Sequence, residues 1–307
     1  MKGLVMRSTG SWYEVLDEQK HTWKCRLRGK FKIKGLKTSN PIAVGDRVLF
    51  DIEDKVENTG IIHDITQREN YIIRKSVHKT AQGHILAANL DQAVVIMTLN
   101  YPRTSLGFLD RFLVSAESFR IPTIIVFNKV DLLSKEEKEY LVDLATMYDE
   151  IGYPSIFTSA TGSIGIQEFE DILKNKISLI SGHSGVGKST LVNQISPNLD
   201  LKTKEISTFA NKGVHTTTFS TMFEISENSY IIDTPGIKEL GLIDIEKTEL
   251  SHFFPEMREL LNKCKYHNCK HINEPQCDVI QAVKEGYIQA SRYSSYLSMM
   301  DDDDNRR

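Results

Sequence analysis

Five short strand signals in the first 70 residues, an alternation of apolar strands and helices from about residue 90, and four soft ligands within residues 264–277 together predict a multidomain chain. The expected units are an N-terminal OB-fold β-barrel, a central α/β domain of the phosphate-loop type, and a C-terminal metal-binding module with helices. The boundaries are placed at residues 1–72, 73–240 and 241–307. The central domain carries its nucleotide-reading motifs in reversed order, with Asn128-Lys129-x-Asp131 preceding Gly182-x-x-x-x-Gly187-Lys188-Ser189.

The barrel reading rests on GLVMRS, WYEVLD, TWKCRLRG, DRVLFDIE and GIIHDIT, separated by turns bearing Gly, Ser and Asn. OB barrels present a curved face and loops to single-stranded or structured RNA, with basic and aromatic side chains handling phosphates and bases. Trp12, Tyr13, Trp23, Arg26, Arg28, Lys30, Lys32 and Lys34 are candidates for that work, and Trp12 and Trp23 could equally be core residues. Residues 1–79 hold 16 Lys+Arg against 10 Asp+Glu, although the whole chain carries -3. A basic first domain points to a polyanionic partner, with a merely solvated face as the alternative.

The chain has 307 residues and 40% hydrophobic content, enough to bury cores in two or three domains. No apolar run reaches the roughly 18 residues of a membrane span, and MKGLVMRSTGSWYEV lacks the apolar core of a secretory signal. A cytoplasmic monomer with no membrane partner is expected.

The central domain follows as AVVIMTLN, LGFLDRFLVSAESF, PTIIVFN, KEEKEYLVDLATMYDEIG, PSIFTSA and QEFEDIL, then ISLISG, the helix after GKST, TTTFSTMFEIS and SYIID. This predicts a parallel sheet of six strands. After ISLIS, glycines let consecutive N–H groups surround phosphates, Lys188 reaches the outer phosphates, and the Ser189 hydroxyl binds Mg²⁺. The expected contact set runs through Gly182, His183, Ser184, Gly185, Val186, Gly187, Lys188, Ser189 and Thr190. In SYIIDTPG, Asp233 can hold Mg²⁺ through water and the Gly236 amide can contact the γ-phosphate. One of Thr216, Thr217 and Thr218 is expected to ligate Mg²⁺ when GTP is bound, unless the cluster is only a Thr-rich strand start.

Asn128-Lys129-x-Asp131 selects guanine, because the Asp131 carboxylate accepts from N1–H and the exocyclic amine, whereas adenine offers an acceptor at N1. Thr158-Ser159-Ala160 completes the base site, with the Ala160 amide free to bind the guanine oxygen. Rotating the segments restores the usual order of phosphate loop, Thr switch, DTPG, NKVD and SA, so the domain is read as a circularly permuted GTPase. Permutation is tolerated because domain termini lie at the surface. It also makes DTPG lead directly into the C-terminal module, which would let that module report the nucleotide state.

Cys264-x4-Cys269-x-His271-x5-Cys277 fits a closed Cys3His tetrahedral site, hence one structural zinc, with His267 as the competing histidine. A disulfide is the rival pairing, disfavoured in a cytoplasmic chain. A helix, VIQAVKEGYIQASRYSSYLSMM, is expected to pack on the metal loop, with DDDDNRR as a solvated tail.

With VGDRV, HILAANLDQ, NKVD, TSA, GHSGVGKSTL, GVHTTT, IIDTPGI, the Cys3His spacing and RYSSY in place, essentially the whole chain resembles the ribosome small-subunit-dependent GTPase A (RsgA or YjeQ) family. The resemblance implies a GTPase that binds the small (30S) ribosomal subunit and its rRNA late in assembly. It further implies stimulation by that subunit and release of an assembly factor from it.

Ile237 stands where an ordinary GTPase carries the water-orienting glutamine, which predicts slow intrinsic hydrolysis. His215 is the nearest residue able to position water, or it only shapes the switch. Two rival functions remain to be weighed. One is a nucleotide-gated RNA-binding switch with incidental turnover. The other, a zinc-dependent RNA-processing enzyme, fails because four protein ligands leave no place for water.

Overall fold

The computed structural model describes residues 1–29, 41–75, 83–199, 220–233 and 245–301. Strands β1 (Lys2–Ser8), β2 (Tyr13–Asp17), β3 (Thr22–Leu27), β4 (Arg47–Asp54) and β5 (Thr59–Ile65) pair in the order β1-β2-β3-β5-β4, and β1 closes onto β4. This closed five-stranded, OB-like barrel has β3 and β5 parallel and its other pairings antiparallel. Strand alternation sends Val5, Tyr13, Val15, Trp23, Cys25, Val48, Phe50 and Ile62 inward.

That alternation removes Tyr13 and Trp23 from the expected RNA-facing set. Trp23 is buried, its indole N–H donating to Asp17 at 2.8 Å. Tyr13 is buried too, and burial together with the nearby Asp46 pushes its hydroxyl up to about 12. Trp12 stays 46% exposed. Arg26 and Arg28 are also exposed, Arg26 being held by Glu53 at 2.8 Å. Lys30, Lys32 and Lys34 lie outside the described residues.

A hairpin absent from the sequence reading, β6 (Tyr71–Lys75) and β7 (Gly83–Ala88), follows the barrel. Its junction with the barrel explains VGDRV. Gly45 has φ +89 and lies so close to the Ala88 carbonyl that any Cβ would collide with it. The Asn89 amide donates to the Gly45 carbonyl at 2.9 Å, and Arg68 makes a bidentate, buried pair with Asp46 at 2.7 and 2.6 Å.

The central sheet comprises β8 (Gln92–Met97), β9 (Thr123–Asn128), β10 (Ser155–Thr158), β11 (Ile177–Ser181), β12 (Thr221–Ser226) and β13 (Ser229–Asp233), in the order β10-β9-β8-β11-β13-β12. Helix α1 (Leu106–Ser118) is capped by Ser105, and α2 (Lys135–Ile151) has a Ser134/Glu137 capping box and ends at Gly152 with φ +107. These two cover one face through Leu109, Phe112, Leu113, Leu141, Leu144 and Tyr148. Helices α3 (Ile166–Leu173) and α4 (Lys188–Ile195) cover the other through Phe169, Leu173, Leu191 and Val192.

The expectation of a wholly parallel sheet needs one correction: β12 is antiparallel to β13. Only two residues connect them, with Asn228 in the left-handed region at φ 56, and so short a link permits only a hairpin. Strand β12 also pairs with β1 at Thr221 and Arg7, joining barrel and central domain into one sheet of eleven strands. Lys20 reinforces that seam, donating to Glu224 at 2.6 Å and to the Tyr230 hydroxyl at 2.8 Å.

The C-terminal module contains a 3-10 turn at Leu250–Phe253, then α5 (Pro255–Arg258), α6 (Asp278–Glu285) and α7 (Ala290–Asp301). The single helix expected over VIQAVKEGYIQASRYSSYLSMM is therefore two. Gly286, at φ 83, ends α6 by accepting the left-handed conformation that side-chain-bearing residues avoid. Of DDDDNRR, expected as a solvated tail, Asp301 ends α7, and residues 302–307 lie outside the described residues. Among the described residues no helix is long and apolar enough to cross a membrane.

Candidate functional site

Strand β11 ends at Ser181, and the chain turns through Gly182, whose φ of +142 and proximity to the Ile96 carbonyl exclude a side chain. Val186 is buried as the anchor of the loop, and Gly187 (φ +98) starts α4. The Lys188 ammonium donates to the carbonyls of Gly182 at 2.7 Å and His183 at 2.9 Å, so the loop curls around its own cation. Ser184 and Gly185 are exposed, Ser189 is buried, and Thr190 is half-buried in the first turn of α4. A strand-to-helix turn of this kind presents backbone N–H groups and the positive end of a helix to an anion.

The motif that precedes this loop by some 55 residues in sequence lies against it in space. Asn128, at the end of β9, donates through Nδ2 to the Val186 carbonyl at 2.7 Å, and its Oδ1 accepts from Thr158 at 3.0 Å. A Cβ on Gly187 would lie 2.5 Å from that Asn128 amide nitrogen, so glycine is required where the two motifs meet. Lys129, in the left-handed region at φ 64, donates through Nζ to the Gly185 carbonyl at 2.8 Å. Asp131 is exposed and accepts from Thr161 at 3.3 Å. Ser159 and Ala160 are buried beside it, the Ser159 hydroxyl accepting from the Gly162 N–H at 2.9 Å.

Every one of these groups sits at or just beyond the carboxyl end of a parallel strand, where α/β sheets bind ligands. Asp233 ends β13 opposite Ile180 of β11, which places its backbone beside the phosphate loop. His215, Thr216, Thr217, Thr218, Gly236 and Ile237 lie outside the described residues.

Sequence reasoning missed the segment between β8 and α1. The Tyr101 carbonyl accepts a second bond from Lys129 Nζ at 2.7 Å, Pro102 lies against Gly185, and the Phe108 ring packs 4.0 Å from that of His183. These contacts are made by backbone and by a half-buried ring, which leave no mark in the sequence.

In the C-terminal module the ligand atoms of Cys264, Cys269, His271 and Cys277 lie within 4.8 Å of one another and could hold a metal ion. Cys264 Sγ is 3.8 Å from Cys277 Sγ, and His271 Nδ1 is 3.3 Å from Cys277 Sγ and 3.6 Å from Cys264 Sγ. A tetrahedral ion with metal–sulfur bonds of about 2.3 Å has sulfur–sulfur edges of about 3.8 Å, so the residues fit. Burial raises the Cys269 and Cys277 thiols, which disfavours the thiolates unless a cation compensates them. Burial lowers His271, keeping its imidazole neutral. His267 is exposed and outside the cluster.

Two tyrosines of α7 tie that helix to the cluster loop. The Tyr293 hydroxyl donates to the His271 carbonyl and the Tyr296 hydroxyl to the Lys270 carbonyl, each at 2.7 Å.

With this geometry established, similarity to known proteins decides the family. The sequence matches the RsgA GTPase family model over residues 65–243 and that of the RsgA N-terminal domain over residues 2–62. The chain belongs to the RsgA GTPase family. Its relatives include the small ribosomal subunit biogenesis GTPase RsgA of Bacteroides fragilis, 51% identical over 98% of this chain and 97% of that one. The protein of the same name from Cytophaga hutchinsonii is 51% identical, with both chains fully covered. Among solved structures, YjeQ from Thermotoga maritima superposes with a TM-score of 0.79 at 35% identity, covering 97% of this chain and 96% of that one. YloQ, described as a circularly permuted GTPase, superposes with a TM-score of 0.75 at 31% identity, covering 97% and 93%.

Permutation of the RsgA type is visible in the topology. Counted from β11 as the first strand and returning through β8 to β10, the sheet runs 6-5-4-1-3-2, so cutting and rejoining the chain reversed the motifs without moving them apart.

Proposed function

We propose that this RsgA-family protein hydrolyses GTP in the biogenesis of the small ribosomal subunit. Turnover is slow in the free protein and faster on the subunit, and the cycle assists late maturation and release of an assembly factor. The observation that carries the reading is the contact between Asn128 and Val186, reinforced by Lys129 and Gly185. It holds a guanine-reading segment and a phosphate-reading segment together as one nucleotide site.

In that site Lys188 leaves its own loop carbonyls for the outer phosphates, the amides from Gly182 to Thr190 hold phosphate oxygens, and Ala160 and Asp131 read the base. Mg²⁺, held by Ser189, Asp233 and a threonine among Thr216, Thr217 and Thr218, would neutralise phosphate charge when bound with GTP. The three cysteines and His271 would hold one structural zinc, and four protein ligands would confine the metal to shaping the module. The barrel, with Trp12, Arg26 and Arg28 on its surface, supplies rRNA contacts. The deciding assay is GTP turnover with and without purified small subunits. Acceleration by the subunit is the expected result, and unchanged turnover would leave a binding switch without subunit-stimulated catalysis.

Asp131→Asn is expected to shift preference from GTP toward XTP, since xanthine replaces the amine with an oxygen to which an amide can donate. Competition binding without a shift would remove Asp131 from the base site. His215→Ala is expected to retain GTP binding and lose roughly 10²- to 10⁴-fold of the subunit-stimulated rate, the range for a group that positions water and assists proton transfer. Single-turnover phosphate release at saturating subunit measures it; full stimulation in the variant would make His215 structural.

A further inference from the structure

The RYSSY segment of α7 contains an arginine that the proposed chemistry does not use. Arg292 is fully buried. Its Nη1 donates to Asp110 Oδ1 of α1 at 2.6 Å, and its Nε and Nη2 reach Glu256 of α5 at 2.8 and 3.2 Å. The Tyr148 hydroxyl of α2 donates to the same Asp110 oxygen at 2.7 Å, and the guanidinium lies 4.7 Å from the centre of the Phe254 ring. One arginine thus binds the C-terminal module directly to α1, and α2 joins through the Asp110 oxygen that Tyr148 shares with it. A second, exposed link, from Arg258 to Glu117 at 3.0 Å, falls on α1 as well.

Helix α1 is attached at its start to the nucleotide site. Phe108, two residues before Asp110, packs on His183 of the phosphate loop, and the segment leading into α1 meets that loop again through Pro102 and Gly185. The Tyr101 carbonyl is bound by Lys129 of the guanine-reading segment. A 13-residue helix transmits rotation and translation as a rigid body, so displacement at Asp110 moves the Phe108 ring. The bidentate pair with Glu256, inside the module, fixes the orientation of the guanidinium, and Nη1 carries that orientation across to Asp110; loss of one buried partner leaves charge uncompensated. An apolar contact at this position would let α1 slide, whereas the ion network holds one setting.

We propose that Arg292 is a positioning residue for the nucleotide site: through Asp110 it sets α1, and through the Phe108–His183 contact α1 sets the phosphate loop, so the seating of the metal module controls how fast guanine nucleotide leaves. The inference rests on the GTPase reading. It gives the module a route to the nucleotide separate from the chain continuity through residues 234–244, which lie outside the described residues. By linkage, nucleotide binding strengthens the seating of α7 by the same factor that the seating of α7 strengthens nucleotide binding.

The test is a double-mutant cycle in the full-length, zinc-loaded protein, reading the dissociation rate of fluorescently labelled GDP alongside the melting temperature. Arg292→Lys keeps the charge and loses the fork; Phe108→Leu keeps the apolar volume and loses the ring contact. Each is expected to speed release roughly 3- to 10-fold, with the double variant within about twofold of the faster single one. Tyr148→Phe removes one bond to Asp110 while preserving the packing, and is expected to speed release in the same direction. It supplies the measurement if Arg292→Lys does not fold. A lower melting temperature with unchanged release in Arg292→Lys, or in Tyr148→Phe if that variant alone folds, would overturn the coupling. So would effects of Arg292→Lys and Phe108→Leu that simply multiply. A parent protein that binds no GDP saturably would overturn the GTPase reading itself, and the coupling with it.

Discussion

Lys188→Ala is expected to abolish measurable GTP turnover and to weaken nucleotide binding by roughly 30- to 4,000-fold, the equivalent of about 2–5 kcal/mol for deleting one partner of a desolvated charge pair. The ammonium now serves two carbonyls of its own loop, at Gly182 and His183. Those carbonyls stand at the rim of the site and can be hydrated when the cation is gone, so the loop geometry fixed by Gly182 and Gly187 persists. The deficit should therefore appear in affinity and phosphate release, with the melting temperature of the nucleotide-free protein close to the parent's. Calorimetry with GDP and GTP, together with a phosphate-release assay, measures both. Retention of parental affinity and turnover would reject the phosphate-loop assignment.

The features legible in the sequence are those whose physics is local. The five barrel strands were readable because each alternates over at least five residues between turn signals. Helix α2 was readable for the same reason, as the helical stretch KEEKEYLVDLATMYDEIG that ends on Gly152. The reversed motifs were readable because strand–loop–helix context accompanies each. What escaped depends on partners far along the chain. The pairing of β6 with β7 follows a basic, polar connection with no tight-turn dipeptide, and β12 reads as one more apolar strand until its two-residue link to β13 fixes its direction.

Alternation in TWKCRL placed Trp23 and Cys25 on one side of β3, but only closure of the barrel shows that side to be the interior. Arg292 is the strongest case. An arginine in a Ser- and Tyr-rich helix reads as solvated, and its burial depends on Asp110, 182 residues away. For the metal site the spacing left His267 and His271 as rivals. In the fold His271 points among the three sulfurs from a left-handed backbone position at φ 56, a turn the spacing alone does not reveal.

Removal of the metal is expected to unfold the C-terminal module while leaving the nucleotide site able to bind. The core of that module is small: Leu250, Phe254, Met257, Cys277, Val279, Ile288, Tyr296 and Met299 carry most of it, and one of them is itself a cluster cysteine. A structural zinc contributes about 10–16 kcal/mol of apparent binding free energy in small peptide sites, as large as the roughly 5–15 kcal/mol that holds a whole typical domain folded. Cys269→Ser and Cys277→Ser should each lose stoichiometric zinc and, with it, the fixed loop whose carbonyls at Lys270 and His271 anchor Tyr296 and Tyr293. The tyrosine near-ultraviolet dichroism of α7 should collapse and binding to the small subunit should weaken. GDP affinity, which the module reaches through Arg292 and α1, should change by a few-fold. Metal analysis, dichroism and co-sedimentation with subunits measure these in turn. One zinc per chain in both variants would exclude Cys269 and Cys277 as necessary ligands. Zinc loss with undiminished subunit binding would instead mean that the barrel and the nucleotide domain carry that interaction alone.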